Sequence, residues 1–247
     1  MAKNRKTTEC VYCGSLKDIT TDHIPPKNLF PPPRPNNLIT VPSCKECNQK
    51  ASKDDEYLRL VLSMRQETSG HPEILKNNEK LRRSLQRPEQ KGFRVSFLNS
   101  LAVVDSYTPA GIYLGKTSAF RVDMKRVNAV IKRIAQGIIY EEKGIRLPDN
   151  YQVRVYCVND IINEQPALLG TIIMRKDIIP SILRGRSQTI DKNIFKYWCQ
   201  FATDEENSSA MILSFYNRIN FLALTTPAGF VADTTGTAAP QIINQQL

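Results

Sequence analysis

CVYCGSLKDITTDHIPPKNLFPPPRPNNLITVPSCKECNQK, residues 10–50, opens and closes on a C-x-x-C pair. Cys10 and Cys13 form one pair, Cys44 and Cys47 the other. Each pair puts two thiolates on one cation as the backbone turns between them, and four thiolates in tetrahedral array make a closed structural zinc site. The stretch between the pairs exceeds the spacing of about 15–20 residues usual in a zinc ribbon, so the loop must carry something of its own. It carries Thr-Thr-Asp22-His23-Ile-Pro-Pro. A histidine beside an aspartate is weak evidence alone, since most turn histidines do nothing chemical. What flanks the pair decides its meaning.

The 247 residues are 41% hydrophobic, enough for one large domain or a small module joined to a larger one. The start, MAKNRKTTEC, is basic but lacks the apolar run of a signal peptide, and no stretch has the length and apolarity of a membrane span. A cytoplasmic protein with no membrane partner is expected. There, six cysteines read as metal ligands or buried thiols rather than disulfides. The formal charge of +10 favours a polyanion as partner. Residues 1–92 hold 17 Lys and Arg against 11 Asp and Glu, so the excess is mildly concentrated in the first third.

With these residues in view, the sequence resembles the four-cysteine branch of the HNH, or ββα-metal, endonuclease superfamily. The matching residues are Asp22-His23-Ile24-Pro25-Pro26, then Asn37-Leu38 running to Cys44, then Cys47-Asn48-Gln49-Lys50. The match covers about residues 8–55. It implies that His23 is the general base that activates water, and that Asp22 and Asn48 hold Mg²⁺ through oxygen, with Mn²⁺ able to substitute. Asn37 would hydrogen-bond across the loop and keep the histidine strand in shape. The third signature position, often histidine in the superfamily, is Asn48 here, which favours Mg²⁺ over a softer metal. The implied activity is hydrolysis of DNA, double-stranded, leaving a 5′-phosphate and a 3′-hydroxyl. One such site cuts one strand, so cutting both takes a homodimer or two encounters. Phage enzymes, mobile elements, restriction and antiviral defence all use such modules. The alternative is a non-catalytic zinc-binding adaptor that recognises nucleic acid through its basic surface.

The expected fold class is α+β. A small zinc-stabilised ββα-metal module spans 1–68, a helical linker 69–90, an α+β domain with antiparallel strands 91–226, and a loose tail 227–247. Apolar spacing predicts helices over 49–67, 72–86 and from a cap at Asp123 to Gly144. Alternation predicts strands in FRVSFLNSLAVVD, AGIYLGKTSAFRVD, YQVRVYCV, ALLGTIIM, IFKYWCQF, AMILSFYN and RINFLALTT. His71, before Pro72 at an expected helix start, reads as a cap or a solvent-exposed residue. Residues 110–117 loosely fit a phosphate-loop pattern, yet Ile112 to Leu114 look like strand rather than a turn feeding a helix. Cys157 and Cys199 read as buried thiols, and Phe195, Tyr197, Trp198 and Phe201 as core. Lys125, Arg126, Lys132 and Arg133 could follow a phosphate backbone, although a solvated helix face is the simpler expectation.

Overall fold

The computed structural model describes residues 9–108, 110–160, 178–203, 205–231 and 241–242. Strands β1 (Ile19–Ile24) and β2 (Ile39–Cys44) pair antiparallel, with Asp22 opposite Val41 and His23 opposite Thr40. The period of two turns Ile24, Ile39 and Val41 into the core. β2 runs directly into α1 (Lys45–Met64), because Cys44 is itself the cap: its Sγ accepts the Cys47 N–H at 3.4 Å. The helix therefore starts four residues before the apolar stripe of Tyr57, Leu58, Val61 and Leu62 suggests.

α2 (Pro72–Leu85) begins as expected, with Pro72 in its first turn and His71 Nδ1 accepting the Glu73 N–H at 3.3 Å. The next segment corrects the sequence reading. FRVSFLN is helical, in α3 (Lys91–Asn99), rather than strand. Phe93 and Phe97 are four apart, a helical spacing, and set their rings against Tyr57 and Phe120 at 5.9 and 5.3 Å. β3 (Leu101–Tyr107) and β4 (Tyr113–Phe120) then form a hairpin. Residues 113–117 are strand and no helix begins before Met124, so the phosphate-loop pattern has no helix N-terminus to serve it.

α4 (Met124–Lys143) takes its cap from Asp123, whose Oδ1 accepts the Lys125 N–H, and stops at Gly144 with φ of +74°. Its stripe of Val127, Val130, Ile131, Ile134 and Ile138 is buried. α4 packs on α1, β1 and β2 with one part of its surface, and on the sheet beyond it with another. At Gly137 the approach is so close that a Cβ would lie 2.5 Å from Cγ1 of Ile24.

That sheet comprises β5 (Tyr151–Cys157), β6 (Arg186–Asp191), β7 (Phe195–Phe201), β8 (Ser209–Phe215) and β9 (Ile219–Pro227), in the order β5-β9-β8-β7-β6 and antiparallel throughout. A short helix, α5 (Ile178–Arg184), precedes β6. The expected strand ALLGTIIM lies outside the described residues. Phe195 and Tyr197 are core, but Trp198 is not: strand alternation turns it to the opposite face, where Lys196 lies over its ring at 5.2 Å. In the region expected to be a loose tail, β10 (Phe230–Val231) pairs with β11 (Gln241–Ile242). The fold is thus mixed α and β with antiparallel sheets. One continuous cluster of buried residues runs from Ile24, Leu29 and Val41 through α4 to Tyr197, Met211 and Phe221. Among the described residues, no helix is long and apolar enough to cross a membrane.

Candidate active site

The strand–strand–helix unit gathers polar side chains at two ends, and the first is the cysteine cluster. Gly14, at φ of +72°, lets the first knuckle turn back, so that Gly14 N–H reaches Cys10 O and Cys10 N–H reaches Ser15 O, both at 2.8 Å. Val11 N–H donates to Pro42 O at 3.0 Å and ties this knuckle to β2. The second knuckle is the β2–α1 junction. All four Sγ atoms of Cys10, Cys13, Cys44 and Cys47 lie within 4.8 Å of one another, and Cys13 and Cys44 are 3.7 Å apart. Sulfurs held about 2.3 Å from one tetrahedral zinc would be roughly 3.8 Å apart, so the donor set suits that ion.

The charges agree. Burial opposes ionisation of Cys10, but backbone N–H groups of Cys44, Cys13 and Tyr12 aimed at its sulfur bring it down to about 7. Burial, the Cys44 and Cys13 thiols and the negative charge of Cys10 push Cys47 up. Thiolates so crowded need a cation among them, and the first turn of α1 adds only a partial positive charge.

The second end is a cavity of about 210 Å³, lined by Thr21, Asp22 and His23 of β1, by Lys27 and Asn28 of the following turn, and by Asn48, Ser52 and Asp55 of α1. Asn48 stands one position after Cys47 and one side of its amide reaches back to β1, Nδ2 donating to Thr20 Oγ1 at 3.3 Å and Thr21 O at 3.4 Å. The structure therefore brings Asp22, His23 and Asn48 to one cavity. It does not bring Asn37 there. Asn37 is exposed and donates to Thr189 O at 3.2 Å, fastening its loop to β6 rather than bracing the histidine strand.

His23 is half-buried. Burial, then the charges of Lys27 and Arg34, lower its affinity for a proton below that of an ordinary imidazole, against the opposing pull of Asp22. Asp22 is buried and heavily engaged. Its Oδ1 accepts the His23 backbone N–H at 2.8 Å, while its Oδ2 accepts from Tyr12 Oη at 2.7 Å and from the Arg133 guanidinium. Arg133 also donates to Asp55 Oδ1 at 2.9 Å and lies over the Tyr12 ring at 5.1 Å. One guanidinium is thus shared by two carboxylates. Burial, with the neighbouring charge of Asp22, raises Asp55 to about 6 despite the opposing pull of Arg133.

Arg133, Asp55 and Tyr12 have roles here that the motif does not announce, and the same holds for Arg126. Arg126 Nε meets Asp54 at 2.6 Å, and its guanidinium lies over Tyr57. Two of the four basic residues expected on a solvated α4 face therefore turn inward and bind α1. A signal does exist in the sequence: Arg126 and Arg133 are seven apart, on one face of α4, and Asp54-Asp55 sit on the helix it packs against. Nothing local pairs them.

No known family, curated protein or solved structure matches the chain. The functional reading therefore rests on the residues themselves. A four-thiolate cluster that could hold zinc adjoins a cavity whose wall combines a proton acceptor of low basicity, a carboxylate with one lightly used oxygen, an amide and the positive charge of Lys27. Such a set can bind an anion and take a proton from it or from water.

Proposed function

We propose that the protein is a metal-dependent DNA endonuclease whose catalytic centre is the cavity of Asp22, His23 and Asn48. The observation that carries the reading is their convergence on one wall, by a strand–strand–helix unit, beside four clustered cysteines. His23 takes a proton from water through its ring, and the oxygen attacks phosphorus. The bond to the 3′ oxygen breaks and that oxygen takes a proton from solvent water, giving 5′-phosphate and 3′-hydroxyl ends. Imidazole suits the step because it is neutral near pH 7, the more so when its proton affinity is lowered.

Mg²⁺, when bound, would neutralise charge on the phosphate and the departing oxygen. Asp22 Oδ1, which accepts only one backbone N–H, and the Asn48 amide oxygen are the hard donors available to hold it. Zinc at Cys10, Cys13, Cys44 and Cys47 would serve folding alone. One observation favours a second reading: the other oxygen of Asp22 is already held by Tyr12 and Arg133, as in a purely structural centre. On that reading the protein is a zinc-stabilised adaptor that binds nucleic acid without cutting it. Nicking of supercoiled plasmid with added Mg²⁺ or Mn²⁺ separates the two. The endonuclease requires the divalent ion and loses rate in Asp22→Ala and Asn48→Ala, with partial recovery at high Mn²⁺ in at least one of them. An adaptor shows no nicking at any metal concentration.

A further inference from the structure

Among the described residues, several arginines pair with acids. Arg59 pairs with Glu56, Arg65 with Glu67 and Asp160, Arg126 with Asp54, and Arg133 with two acids. Beside His23 the pattern inverts. Lys27 lines the cavity itself and is exposed, in the turn that follows β1. Arg34 is exposed in the Pro-Pro-Pro-Arg-Pro segment of the same loop, where the prolines limit how far it can move. Lys80 comes from α2, which is docked on that loop: Asn77, one turn before Lys80, donates through Nδ2 to Leu29 O at 3.4 Å. Among the described residues, none of these three cations has a hydrogen-bond or ion-pair partner. The acids of this neighbourhood are already engaged, Glu56 by Arg59 and Ser84, and Asp22 and Asp55 by Arg133.

The geometry points to Lys27, Arg34 and Lys80 as a track for the phosphates of a DNA strand passing His23. Like charges gathered together repel one another, and the repulsion registers on Lys80. Burial and then the charges of Arg34 and Arg59 make Lys80 less basic than a free lysine, against the opposing pull of Glu56. A polyanion removes that repulsion and releases its own counterions in doing so. The placement also gives α2 a task beyond linking two parts of the chain. It supplies the outer cation of the track, while the loop after β1 supplies the inner two.

The track deepens the endonuclease reading, yet binding can be measured without cutting. The test is fluorescence anisotropy of a labelled 20-base-pair DNA duplex, without added divalent cation, over a range of NaCl. The full chain carrying Lys27→Gln, Arg34→Gln and Lys80→Gln is compared with wild type and with a control of equal charge, Lys91→Gln, Lys116→Gln and Lys125→Gln, all exposed on α3, β4 and α4. The track variant is expected to bind at least about tenfold more weakly, and its salt slope to fall by about 0.9 for each phosphate left without its cation. The control changes binding by less than about threefold. Wild-type binding by the track variant, with unchanged thermal unfolding, overturns the proposal; so does an equal loss in the control, which would assign the effect to net charge alone. Selective loss in the track variant with no nicking by any protein keeps the track and removes the catalysis. Normal binding by the track variant beside metal-dependent nicking by wild type does the reverse.

Discussion

The two ends of the strand–strand–helix unit are held by different means. At the cysteine end, four sulfurs come from two knuckles, each closed within four residues, and Cys13 and Cys44, 31 residues apart, are brought together by the β1–β2 pairing between them. At the cavity end, Asp22 is fixed by Arg133, 111 residues away, and Arg133 reaches Asp55 across 78 residues. The cavity end is lined by β1, its following turn and α1, but two of its acids, Asp22 and Asp55, are held from α4 by Arg133. The placement of Asp22 beside His23 thus depends on a helix distant in sequence.

The largest expected effect breaks the cysteine end. Cys44→Ser removes a thiolate while leaving a hydroxyl that can still cap α1, and since ligand binding is folding energy at such a site, a loss on the order of 5 kcal/mol is expected. Elemental analysis should fall from one zinc per chain to almost none, with an early thermal transition. Well-folded wild type without zinc would refute the four-thiolate site.

The matching blow to the cavity end is Arg133→Met. It leaves Asp22 and Asp55 facing each other without their shared cation, and about 3 kcal/mol should be lost in chemical denaturation while zinc content stays at wild-type level. Adding Asp55→Asn to it should restore part of the loss, because one of the stranded charges is then gone. Equal loss of zinc in Arg133→Met would mean that the two ends are not separately held.

Gly137→Ala sharpens the comparison with a smaller change. The added methyl would press on Ile24 next to His23, at a cost of roughly 1–3 kcal/mol, and should shift amide resonances of β1 more than those of the cysteine knuckles. The smallest effect is a pH dependence. Asp55 is raised from 3.8 to about 6, so its protonated form is the one the fold prefers. Its contribution is fully present below pH 3.8 and is lost as pH rises through about 6. Asp55→Asn should therefore be more stable than wild type at pH 8, by about 3 kcal/mol at most, and indistinguishable from it below pH 4. Thermal unfolding of both proteins across that range measures the difference.

What can be read from the sequence follows the same division. Spacing alone reveals the cysteine pairs, and the caps at His71 and Asp123 with the stop at Gly144 fix two helices, because each signal lies within a few residues of its consequence. The strands β5, β7, β8 and β9 are legible from alternation. FRVSFLN is not, since a short run that alternates also satisfies i, i+4 spacing, and the choice is made by Tyr57 and Phe120, outside the run itself. Asn37 shows the limit from the other side: it stands where the motif has an asparagine, but its partner, Thr189, is on a strand the motif knows nothing about. Arg133 reads as a surface charge in sequence, because only the docking of α4 on α1 reveals what it binds.

The central claim is that His23 is the base of a hydrolytic centre, and the most direct measurement is plasmid nicking by His23→Ala beside wild type, titrated with Mg²⁺ and Mn²⁺. A general base contributes about two to four orders of magnitude in rate, so the variant should lose that much while keeping its zinc and its affinity for DNA. No metal concentration should restore it, because what is missing accepts a proton rather than holding an ion. Wild-type nicking by His23→Ala, or rescue of its rate by Mn²⁺, would contradict the account.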